Sequence, residues 1–162
     1  MNSNAAHFSG WARSGRLTVT PGNIIDYEFI ERDIVEDVHR FQVEGIVFDP
    51  RQMTYLHTRL QAAGVKDLIE YPVNVGNYSD PMKEMEALII AGRLHHDGDP
   101  VLTWAISNVV AHTDAKEMVF PRKERVENKI DPVTAGLAAL GWHLRKHKPA
   151  SSIYNDAATC AI

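Results

Sequence analysis

Asp49 and Asp131 are the residues of this chain best placed to do chemistry. Asp49 closes the apolar run Gly45-Ile46-Val47-Phe48, and Asp131 opens a helix-patterned apolar segment after Asn128-Lys129-Ile130. A carboxylate at the end of a strand and another at a helix start can converge on one divalent cation, Mg²⁺ or Mn²⁺. Such a centre suits cleavage of a phosphodiester. Both aspartates precede proline, as do Asp80 and Asp99. That context has a plain explanation, because Asp caps helices and Pro fits the first helical turn. Asp49 differs in following an apolar strand directly, where open α/β sheets place their ligands. Asp131 differs in following a basic run, Arg122, Lys123, Arg125 and Lys129, that suits a phosphate backbone. The same run also reads as a solvated loop and helix end.

A second cluster, His95, His96, Asp97, Asp99 and His112, is less suited to a site. The spacing from Asn108 to His112 does not fit the hairpin and helix of histidine–asparagine–histidine nucleases. A zinc site lacks paired cysteines, and the sequence is read as having no clean His-x-x-x-His face. His39, His57 and His143 read as surface or boundary residues. Met82 and Met85 read as core packing, and Tyr55, Tyr71 and Trp104 as core anchors.

The elements that position the two aspartates follow from periodicity. Tyr27, Ile30, Ile34, Val38 and Phe41 recur at helical steps. Gly45 to Phe48 reads as a buried strand. Met53, Leu56, Leu60 and Ala63 mark a helix stopped at Gly64, and Leu68 to Val75 a second strand, irregular at Pro72. A helix is expected from Pro81 to Ala91, capped by Ser79 or Asp80, with Met82, Met85 and Ile89 inward. A short helix follows around Leu102 and Ala105, then a hairpin about Asp114-Ala115. Val133, Leu137, Leu140 and Leu144 define a last helix. Strand, helix, strand, helix is an α/β order, with a right-handed parallel pair expected across the Arg51–Ala63 helix. Few short strands flanked by helices make a sheet that looks partial. The chain divides into an N-terminal extended segment 1–22, a domain 23–148 and a flexible tail 149–162.

Bulk properties narrow the class. At 162 residues with 44% hydrophobic and 23% charged residues, the chain can bury a core and is neither fibrous nor disordered. A net charge of −4 disfavours indiscriminate nucleic-acid binding, although acidic residues crowd the first third and basic ones the last. A lone cysteine, Cys160, suits a reducing compartment. No stretch approaches the roughly 20 apolar residues that span a bilayer, and the polar start lacks a signal-peptide pattern. These features read as a cytoplasmic protein with no membrane association.

Five stretches together resemble the C-terminal part of the large terminase subunit of tailed bacteriophages, over roughly residues 11–145. They are Gly15-Arg16-Leu17-Thr18-Val19-Thr20-Pro21-Gly22-Asn23-Ile24-Ile25-Asp26, Gly45 to Pro50, and Ser79 to Glu84 with Gly92-Arg93-Leu94-His95-His96. The others are Asp99-Pro100-Val101-Leu102 with Trp104 and Asn108, and Lys129-Ile130-Asp131-Pro132-Val133 with Ala135. The resemblance implies a partial RNase H-like nuclease fold and metal-dependent cleavage of concatemeric viral double-stranded DNA during packaging. In that family three acidic positions bind two divalent ions. Asp49 matches the second position and Asp131 the third, with Lys129 a candidate phosphate contact. The first position lies upstream of the matched region, so the chain reads as a C-terminal portion. Without a Gly-x-x-x-x-Gly-Lys-Ser/Thr loop it also carries no packaging ATPase. The implied partners are DNA and, for the parent protein, the small terminase subunit and the portal. An open sheet edge adds homodimerisation. Two readings stand: a nuclease piece, or a prophage remnant without catalysis that persists as a folded or self-associating module.

Overall fold

Helix formation begins earlier than the sequence pattern suggests. The computed structural model, which describes residues 4–147, folds Ala5–Arg13 into helix α1, inside the segment expected to be extended. A helix this short is marginal alone. Tertiary stacking supports it: Phe8 meets the Trp104 ring edge-on at 5.6 Å and Trp11 lies 5.4 Å from Trp104. The tail expected at 149–162 lies outside the described residues.

The next elements follow the periodicity. Helix α2 (Tyr27–Arg40) is capped by the Asp26 carboxylate, which accepts from the Glu28 and Phe29 amides. Strand β1 (Ile46–Phe48), a short 3₁₀ turn (Pro50–Gln52), helix α3 (Thr54–Ala62) and strand β2 (Leu68–Glu70) come next. β1 and β2 pair in parallel, Ile46 beside Leu68 and Phe48 beside Glu70. The strand expected to reach Val75 stops at Glu70, two residues before Pro72, which has no amide for a ladder.

Helix α4 (Val75–Ile90) corrects the expected start at Pro81. Its cap is Asn74, whose side chain accepts from the Asn77 amide at 2.9 Å. Pro81 sits inside the helix and leaves the Asn77 carbonyl without its usual amide donor. The Tyr71 hydroxyl donates to that carbonyl at 2.6 Å, so a side chain repairs the break. Ser79, expected as a cap, is fully buried and accepts from the Val119 amide at 3.1 Å. With Tyr78, Ser79 and Pro81 setting the buried face, Ile89 is 51% exposed rather than inward.

Helix α5 (Pro100–Ser107) is capped by Asp99, and strands β3 (Val110–Thr113) and β4 (Val119–Arg122) form the expected antiparallel hairpin. Helix α6 (Asp131–Lys146) closes the described chain. One apolar cluster gathers Tyr71, Tyr78, Ala105, Val133, Leu137 and Ala138, with Met82 and Met85 packed against it. A second joins Leu56, Leu60 and Val65 beneath α2. Tyr55, expected as a core anchor, is instead 55% exposed and meets Tyr27 edge-on. Gly141 lets α6 approach Tyr71, and Pro81 of α4, closely, because a Cβ there would collide with the Tyr71 hydroxyl and ring and press on the Pro81 ring. No helix among the described residues is long and apolar enough to cross a membrane.

Candidate metal centre

Asp49 leaves the C-terminal end of β1, and Asp131 is the first residue of α6. They are far apart in sequence, yet both line one open cavity of about 520 Å³. α6 packs directly against β1, and this contact brings the two residues to one cavity. The cavity floor is apolar, formed by Val47, Val73, Tyr78 and Ala138. Tyr78 fixes that floor by donating to the Thr134 carbonyl of α6 at 3.2 Å. Its hydroxyl is pushed up to about 12, chiefly by burial, with Tyr71 and the Asp49 charge adding to the effect. Tyr78 therefore stays neutral and serves as a strut.

The two aspartates differ in local duty. Asp49 accepts from the Arg51 amide at 3.4 Å and faces the Arg51 guanidinium at 3.7 Å. Arg51 also donates to the Val73 carbonyl, which holds it at the cavity edge. The N-cap position of α6 is Ile130, without a side-chain cap bond, so the Asp131 carboxylate is not spent on the helix end. Asp99 is the contrasting Asp-Pro aspartate: its carboxylate accepts from the Val101 and Leu102 amides at 2.9 Å, a full capping role. Asp80 lies within α4 and caps nothing.

Two hard carboxylates and open space fit Mg²⁺ or Mn²⁺, which hold few protein ligands and keep several waters. Among the described residues, Asp49 and Asp131 are the only acidic ones lining the cavity, and no three His, Cys, Asp or Glu side chains group around a metal position. The chemistry of two carboxylates suits one such ion, with water or substrate oxygens in the remaining positions.

Arg122, Lys123, Arg125 and Lys129 lie on the end of β4 and the loop into α6, all exposed and outside the cavity lining. None takes part in an ion pair among the described residues. The Lys129 carbonyl accepts from the Asn108 side chain at 3.2 Å, which ties this loop to the end of α5 two residues before Asp131. Arg51 and Thr134, both in the cavity wall, escaped sequence reasoning. The signal for Arg51 was its place two residues after Asp49; Thr134 had none.

The second histidine cluster forms no site. His96 accepts from the Gly98 amide, Asp97 from the Asp99 amide, and His112 stands exposed on β3. The reading that no His-x-x-x-His face exists is corrected at another place. His143 in the last turn of α6 and His147 at its C-cap lie four residues apart, with ring centroids 4.3 Å apart. Their neighbours Arg145 and Lys146 masked the pair as part of a basic run.

The model of the terminase large subunit endonuclease domain matches residues 2–147. The chain belongs to that family. Protein YmfN of Escherichia coli (strain K12) is 40% identical over 139 residues, covering 85% of this chain and 30% of that protein. The large terminase subunit of Enterobacteria phage HK97 is 28% identical over 137 residues, 84% of this chain and 27% of that one. The crystal structure of the HK97 bacteriophage large terminase superposes with a TM-score of 0.78 at 28% identity, over 86% of this chain and 29% of that chain. The chain thus spans about three tenths of the length of these relatives. Its α/β fold of short strands and flanking helices is that of the HK97 terminase over the shared region, and the family read from the sequence motifs is the family found.

Proposed function

We propose that this terminase domain cuts concatemeric viral double-stranded DNA in a metal-dependent endonucleolytic reaction during genome packaging. The supporting observation is the convergence of Asp49 and Asp131 on one cavity within a family nuclease domain. The two carboxylates would hold Mg²⁺ or Mn²⁺. A bound ion would supply the Lewis acidity that activates water and steadies the leaving oxygen. The chain's own residues do the rest. Arg51, at the cavity edge, binds a phosphate oxygen and gives up its contact with Asp49 as the substrate enters. Arg122, Lys123, Arg125 and Lys129 take flanking phosphates and set the register of the duplex. Tyr78 and Thr134 keep α6, and with it Asp131, in place.

This reading locates the reaction in the cytoplasm of the bacterial host, with the small terminase subunit and the portal as partners of the whole protein. Among the described residues β1 and β2 are each paired on one side only, so a second copy could add along an edge.

A plasmid-nicking assay in Mn²⁺ tests the proposal, with Asp49→Asn and Asp131→Asn beside the wild type. Each substitution is expected to lower cleavage roughly a hundredfold or more. Equal cleavage by the Asp131→Asn protein would overturn the assignment. No metal-dependent cleavage by the wild type would leave the catalytically inactive module as the reading of this chain.

A further inference from the structure

The C-terminal turn of α6 carries chemistry that the nuclease reading does not use. His143 and His147 are both exposed, and at i and i+4 they project from one face of the helix. Their ring centroids lie 4.3 Å apart with planes inclined by 45°. The His147 amide donates to the His143 carbonyl at 3.0 Å, which keeps this last turn closed and the two rings in register. Two imidazole nitrogens about 2.0–2.1 Å from one ion in neighbouring coordination positions sit roughly 3 Å apart. Small rotations about the side-chain torsions bring rings at the observed separation to that spacing.

The surroundings carry both signs, with Arg145 and Lys146 between the two histidines, and the helix end and Glu44 set against them. The free carbonyls of a helix C-terminus carry partial negative charge. Glu44 lies close by and is ion-paired to Lys146 at 3.0 Å. Neutral nitrogen donors select borderline transition ions over Mg²⁺. Asp131 and His143 are separated by twelve residues of one helix, roughly 18 Å along its axis, so the pair is distinct from the carboxylate cavity.

We propose that His143 and His147 form a surface chelate for a divalent transition ion, tightest for Cu²⁺ and weaker for Ni²⁺ and Zn²⁺. Among the described residues no third His, Cys, Asp or Glu completes the set, so water fills the remaining positions and leaves them exchangeable.

The untagged full chain, titrated with CuCl₂ at pH 7 and followed by electron paramagnetic resonance, tests this. The expected spectrum at the first equivalent of copper shows hyperfine coupling to two nitrogens. His143→Ala and His147→Ala, both at exposed positions, are each expected to weaken Cu²⁺ binding by roughly a hundredfold, the gain that a second tethered ligand gives. An unchanged melting temperature without metal shows that each variant is folded. A His95→Ala/His96→Ala protein is expected to bind as the wild type does. Binding untouched by His143→Ala and His147→Ala, or lost only with His95 and His96, overturns the chelate. The outcome is independent of whether the chain cuts DNA.

Discussion

Arg51 is the side chain on which the two aspartates' environment turns. It sits 3.7 Å from the Asp49 carboxylate, so it offsets the charge there without closing the cavity. A guanidinium forks onto phosphate oxygens in a way that a lysine ammonium does not. Arg51→Ala is therefore expected to lower kcat/KM for plasmid nicking by about tenfold, and Arg51→Lys to recover little of it. Steady-state kinetics on a defined duplex check this, and full activity in the lysine variant would remove the forked contact from the account. Gly141 is the second decisive position. Ala there drives a methyl group into the Tyr71 ring, and overpacking of this kind costs about 1–3 kcal/mol. Urea unfolding of Gly141→Ala against the wild type measures it.

Among the elements, α4 has the least obvious architecture. Its interior Pro81 is tolerated because the Tyr71 hydroxyl reaches the orphaned Asn77 carbonyl. Tyr71→Phe removes that donor and is expected to destabilise the fold by about 1–2 kcal/mol. In a Pro81→Ala background an amide returns to the carbonyl, so the same substitution should cost clearly less. A double-mutant cycle by urea denaturation reports the difference, and strict additivity would show that the hydroxyl and the proline are uncoupled. The β3–β4 hairpin rests on Asp114. Its carboxylate is held below its usual range first by the Met118 amide and then by the Lys116 amide, at 3.0 and 2.8 Å. A carboxyl lowered in the folded state stabilises above its ordinary range, and the contribution is lost as pH falls through the folded value. The hairpin is expected to loosen below about pH 4, the ordinary range of an aspartate. Asp114→Asn should lack that part of the acid dependence. Amide exchange across residues 110–122, followed against pH, checks it.

For the molecule as a whole, charge is divided rather than uniform. The net charge is −4, yet Arg122, Lys123, Arg125 and Lys129 cluster on one exposed loop and strand end. If these four meet phosphates, changing all of them to Gln should reduce the slope of log K against log salt by roughly 3–4, at about 0.9 per phosphate. Fluorescence anisotropy of a labelled duplex across a salt series measures the slope, and an unchanged slope would place DNA on another face. Among the described residues β1 and β2 each keep one unpaired side, which belongs at this level too. A concentration-dependent dimer in sedimentation velocity is expected if a second copy pairs there, and a strict monomer would count against that edge.

The sequence alone determined the elements whose signals are local. Asp99 before Pro100 suits a helix start, Gly64 marks a helix end and Asp114-Ala115 a hairpin, because capping and turn signals act within a few residues. It also singled out Asp49 and Asp131, since one ends an apolar strand and the other opens an apolar helix. Their meeting at one cavity was decided only when α6 packed on β1, a contact between segments more than eighty residues apart. The start of α4 escaped local reading because Pro81 is a strong boundary signal that a distant tyrosine overrides. α1 escaped because its stability comes from Trp104, and Arg51 because a polar residue's partners are set by tertiary proximity. Short-range rules place the pieces, while burial and long-range hydrogen bonds choose which of them face one another.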